Sequence, residues 1–154
     1  MIKDPIGHKV YELVRPNEQA WFLTLDKEHT YEIVRVLDYD EAKDYCRHYI
    51  LKGEDGTEKE IQEPYCVFIP DTTKDEIQMI STYLSDNGLY AEVYHYSTEI
   101  PAIVVSISWG DWKHEHGWCN DLMRYLGYNE IGNQVTEENG SDCYSAEHYY
   151  LKAS

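Results

Sequence analysis

Apolar and polar positions along the chain fall into two periods. Alternation of period two, the mark of half-buried strands, runs through residues 19–26 (QAWFLTLD) and 30–38 (TYEIVRVLD). These predict a strand pair joined by the polar Lys27-Glu28-His29. Residues 65–70 (YCVFIP) read as a short apolar strand stopped by Pro70. In residues 89–97 (LYAEVYHYS), Leu89, Ala91, Val93 and His95 share one side, and Tyr90, Glu92, Tyr94 and Tyr96 the other. Ile103, Val105, Ile107 and Trp109 share a face in the next run. Residues 128–138 and 143–152 predict a terminal hairpin around Asn139-Gly140, a dipeptide that tolerates positive φ at both turn positions.

The helical period appears twice. Thr73 and Glu76 form a capping box ahead of Ile77, Ile80, Ser81 and Leu84, and Asn87-Gly88 closes that helix. A second helix is expected from about Trp112 to Leu126, ended by Gly127, with Trp112, His116, Cys119, Met123 and Leu126 on one stripe. Residues 38–53 support two readings. Asp38 with Glu41 would cap a helix through Ala42, Tyr45, Cys46 and Tyr49, whereas Asp55-Gly56 equally suits a hairpin turn.

From about residue 65 the order is therefore β-α-β-β-α-β-β. An α+β fold with a ferredoxin-like split βαβ sheet accommodates it, because both helices can bury their stripes on one face and leave a tyrosine-rich face open. The expected organisation is a single domain, 1–154, in which a β-rich region of residues 1–63 packs on an α/β layer of residues 64–154.

Composition sharpens this. The chain of 154 residues is 42% hydrophobic and 14% aromatic, which fits a folded chain better than an acidic tail. Fifteen tyrosines against two phenylalanines put a hydroxyl on most rings, suiting half-buried sheets and contact surfaces. Formal net charge is −16. No Lys or Arg lies between Lys74 and Lys113, nor between Arg124 and Lys152, so acid is unneutralised over much of the C-terminal half. Such a charge disfavours direct contact with nucleic acid or anionic membranes, both of which need basic side chains. No apolar run reaches the about 18 residues of a membrane span, and the N-terminus lacks the pattern of a signal peptide. Cys46, Cys66, Cys119 and Cys143 show no CxxC spacing and read as reduced thiols of a cytoplasmic protein.

Two functions follow. The first is an acidic, non-enzymatic binding protein that engages a basic, nucleic-acid-handling protein partner. Carboxylates on a rigid scaffold can stand in for phosphates, so the chain would act as a nucleic-acid mimic or an inhibitor of the phage or mobile-element type. Its binding residues would be Asp86, Glu92, Glu99, Glu130, Glu137, Glu138 and Asp142, with Tyr94 and Tyr96 as anchors.

The second is a small metal-dependent hydrolase built on residues 109–119, WGDWKHEHGWC. If this stretch is helical, His116 and Cys119 face the core and His114 points about 200° away from His116, so the imidazoles cannot share an ion. If Gly110 and Gly117 bracket a loop instead, His114, His116 and Cys119 could hold zinc, with Asp111, Cys143 or His148 as fourth ligand and Glu115 moving the proton. The nucleophile elbow GxSxG, the phosphate loop GxxxxGK[ST] and the dinucleotide motif GxGxxG do not occur.

Overall fold

Two antiparallel sheets and few helices make up a mixed α+β fold, seen in a computed structural model that describes residues 2–153. The chain divides into two compact units, residues 2–69 and 70–153.

The N-terminal unit holds β1 (Lys9–Val14), β2 (Thr24–Leu37), α1 (Tyr39–Ala42), β3 (His48–Gly53), β4 (Glu58–Gln62), a 3-10 turn (Glu63–Tyr65) and β5 (Cys66–Phe68), in sheet order β4-β3-β2-β1-β5. The strand pair expected at residues 19–38 is one long strand, β2. Register with β1 jumps from Glu12↔Asp26 to Val10↔Tyr31, so Lys27-Glu28-His29 bulges out and does not turn the chain back. Asp26 holds the bulge: its carboxylate accepts from the Glu28 N–H at 2.9 Å and meets His29 Nδ1 at 2.9 Å.

Residues 38–53 resolve toward the hairpin. Asp38 makes no side-chain cap bond, and α1 ends after one turn at Lys43, whose φ is 52°. Tyr49 and Leu51 are fully buried in β3, beside Val10, Ile33, Cys66 and Phe68. Burying those side chains on a paired strand outweighs a short, poorly capped helix.

Residues 66–68 do not open the C-terminal layer as expected. β5 pairs with the outer edge of β1, Val10 opposite Phe68 and Tyr11 opposite Val67, and all three of its residues are buried.

The C-terminal unit holds α2 (Glu76–Asp86), β6 (Glu92–His95), β7 (Ile103–Asp111), a π-helical turn (Trp112–His116), α3 (Gly117–Tyr125), β8 (Tyr128–Glu138) and β9 (Cys143–Lys152). Sheet order is β6-β7-β9-β8. The place beside β7 that a split βαβ would give to its first strand is held by β9.

α2 is capped two residues later than expected. Asp75 Oδ1 accepts from the Gln78 N–H at 3.0 Å, while Thr73 is taken up by Asp71, whose Oδ1 accepts from Thr73 N–H and Oγ1–H. α2 and α3 are tied by Tyr83 Oη, which donates to the Leu122 carbonyl at 2.9 Å. Ile80, Leu84, Ile103, Val105, Leu122 and Met123 are buried. The terminal hairpin forms as expected, but its positive φ angles fall at Gly140 (79°) and Asp142 (58°). The Asn139 side chain instead accepts from Ser141 N–H and Oγ–H. All four cysteines are free, and no helix among the described residues is long and apolar enough to cross a membrane.

Candidate functional site

Strand register sorts the side chains of the C-terminal sheet, because residues directly opposite one another share a face. Glu92, Ser106, Glu147 and Gln134 form one row across β6, β7, β9 and β8; Tyr94, Val104, Tyr149 and Gly132 form the next. Glu137 joins the same side opposite Ser145. His148 and Tyr150 alternate to the other side, where α3 and the π-turn lie.

The side away from the helices is thus acidic and tyrosine-rich. Tyr149 Oη donates to Glu147 at 2.8 Å, and that bond to a carboxylate pushes its pKa up to about 12. Tyr96, exposed, meets the Tyr149 ring edge-to-face with centroids 5.7 Å apart. Burial, then Glu147, raises the pKa of Tyr94. β6, β7, β8 and β9 contain one Lys and no Arg; that residue, Lys152, lies opposite Tyr128 on the helix side. Among the described residues no ion pair reaches Glu92, Glu137 or Glu147.

The expected binding set is only partly gathered here. Glu92, Tyr94, Tyr96 and Glu137 share the open face. Glu138 lies opposite Tyr144 on the helix side, Glu130 turns inward to His148, and Asp86 ends α2. Glu99 sits in the turn after β6, its N–H donating to Ser97 Oγ, and Asp142 sits in the β8–β9 turn. Glu147 and Tyr149 were missed, although the period-two reading of residues 143–152 already places them on one side.

The tryptophan–histidine stretch is assembled by a bulge. β7 passes from Ile107↔Ala146 to Gly110↔Tyr144, setting Ser108 and Trp109 against Ser145 alone. Trp109 takes a left-handed φ of 51° and donates its N–H to Ser145 Oγ at 3.0 Å. Asp111 caps the π-turn, accepting from the N–H groups of Lys113 at 2.8 Å and His114 at 3.2 Å, while Glu115 accepts from the Asp111 N–H at 2.7 Å.

This turn delivers His116 to the interior. His116 Nδ1 faces His148 Nε2 at 2.8 Å, His148 Nδ1 faces Glu130 Oε2 at 2.6 Å, and His116 Nε2 faces the Tyr144 carbonyl at 2.9 Å. Both rings are buried, and desolvation lowers the pKa of His148. With His148 neutral and its Nδ1–H donating to Glu130, its Nε2 is the acceptor that faces His116 Nδ1. The Trp112 indole stacks on His116 at 4.8 Å and covers His148 at 5.5 Å.

The sequence-derived metal set is not gathered at one point. His114 is exposed and bonds Asp111 at 3.0 Å, and Cys119 Sγ faces Tyr150 Oη at 3.3 Å. Burial pushes the Cys119 thiol up to about 12, far from a reactive thiolate. Among the described residues, His114, His116, Cys119 and His148 do not form a group with ligand atoms within 4.8 Å of one another. A groove of about 440 Å³ beside the π-turn is lined by Trp112, His114, Asn133, Asp142 and Tyr144, among others; His116 and His148 do not reach it. No family model, curated protein or solved structure matches the chain, so its own residues carry the functional reading.

Proposed function

We propose that this chain is a non-enzymatic binding protein whose open sheet face engages a basic protein partner of the kind that handles nucleic acid. The observation that supports the reading is one face on which Glu92, Glu137 and Glu147 stand among Tyr94, Tyr96 and Tyr149 with no Lys or Arg between them. The carboxylates steer and orient a cationic partner, and β-strands hold their spacing fixed. Tyrosines supply contact area at low conformational cost and a hydroxyl that stays satisfied at the rim. The chain would then occupy the surface with which the partner meets phosphates, as a nucleic-acid mimic or an inhibitor of the phage or mobile-element type. A cytoplasmic setting, which keeps thiols reduced, belongs to the same proposal.

Mixing the chain with a Lys/Arg-rich DNA-binding protein and a labelled duplex tests this. The expected result is a complex at about 50 mM salt that excludes the duplex and weakens tenfold or more toward about 200 mM. A ternary complex that retains the duplex, or no complex at the lower salt, contradicts it.

A further inference from the structure

Asp44, Cys46 and His48 bring a carboxylate oxygen, a thiol sulfur and an imidazole nitrogen within 4.8 Å of one another, where the loop after α1 runs into the first residue of β3 in the N-terminal unit. The left-handed Lys43 ends α1 and bends the chain, so side chains at i, i+2 and i+4 converge. β4 supports them from the next strand. His48 lies opposite Gln62 in the register, and Gln62 Nε2 donates to Asp44 Oδ2 at 2.7 Å. Glu60 Oε2 sits 2.6 Å from His48 Nδ1, while His48 Nε2 faces Asp44 Oδ2 at 2.8 Å.

We propose that Asp44, Cys46 and His48 form a transition-metal site of the zinc class. Glu60 fixes the imidazole with Nδ1–H outward and the Nε2 lone pair toward Asp44, the carboxylate–histidine–metal relay of metalloproteins. A cation takes the place of the hydrogen between Nε2 and Oδ2, and the Cys46 thiol gives its proton to solvent as it ligates. Tetrahedral ligation with Zn–N and Zn–S bonds of about 2.0–2.3 Å puts ligand atoms roughly 3.3–3.8 Å apart, so the trio lies within about 1 Å of ligating geometry. One sulfur, one nitrogen and one oxygen select zinc or cobalt over magnesium and calcium, which take oxygen ligands. Three protein ligands leave a fourth position for water. The competing arrangement is metal-free, with a protonated His48 held between Asp44 and Glu60.

Titrating the chelator-treated full chain with Co²⁺, then displacing it with Zn²⁺, decides between them. The expected result is saturable one-to-one binding with a thiolate-to-cobalt charge-transfer band that Zn²⁺ abolishes. Cys46→Ser, in a partly exposed loop, removes that band without changing the circular dichroism spectrum. Glu60→Gln keeps the band and weakens affinity roughly 10- to 100-fold, as loss of an outer-shell partner does. Absence of the band in the wild type, its survival in Cys46→Ser, or an unchanged affinity in Glu60→Gln overturns the site.

Discussion

Gly110 is glycine because the π-turn lies against it: a Cβ there would stand 2.9 Å from Glu115 Cβ and 3.3 Å from His116 Nε2. Gly110→Ala is therefore expected to lower stability by about 1–3 kcal/mol, as overpacking does, read as a lower urea midpoint with unchanged slope. At His148 the expected effect depends on pH. Burial lowers its folded pKa below the ordinary 6.5, so the unfolded chain takes up a proton first as pH falls. The stability of the neutral, buried ring is present above about pH 6.5 and is lost as pH falls from there toward the folded pKa. Acidification from about pH 7.5 to 5.5 should lower the wild-type urea midpoint more than that of His148→Asn, which keeps a donor toward Glu130. Equal losses in the two proteins would show that His148 is not held neutral by burial.

Among the elements, those with a long uninterrupted period were legible in the sequence. The stripe through His116, Cys119 and Met123 is buried, and the hairpin β8–β9 has the expected bounds. Where one side chain competes with another for a role, pattern alone misassigned it. Thr73 and Asp75 both suit a cap, and Asp71 removes Thr73 from the contest. Asp75→Ala is accordingly expected to cost about 1 kcal/mol in a thermal or chemical melt, while Thr73→Ala costs less than half as much. Larger loss at Thr73 would contradict the cap. The partner of β5 was not legible, because pairing with β1 joins residues far apart in the chain and leaves no local trace. The bulge at Lys27-Glu28-His29 looked like a turn because both expose consecutive polar residues. The trio Asp44, Cys46 and His48 was hidden by the helical reading of residues 38–49, in which positions i, i+2 and i+4 do not share one point.

Over the whole molecule the charge bias is uneven: residues 70–154 hold fourteen carboxylates against four Lys and Arg. The excess itself was plain from composition, but the face that gathers part of it appears only in the register of β6, β7, β9 and β8. That is why Glu130 and Glu138, adjacent in kind to Glu137, belong to the opposite side. A charge count alone cannot distinguish a working surface from solubilising charge; placement names the carboxylates whose removal tells them apart. The most direct test compares the affinity of a Lys/Arg-rich DNA-binding protein for two charge-matched triple variants. One is Glu92→Gln/Glu137→Gln/Glu147→Gln on the open face; the other is Glu28→Gln/Glu54→Gln/Glu58→Gln in the N-terminal unit. Loss of three charges on the open face is expected to weaken binding roughly tenfold, with the N-terminal variant within about twofold of wild type. Equal weakening by the two variants, or none by the first, would contradict the open face as the binding surface.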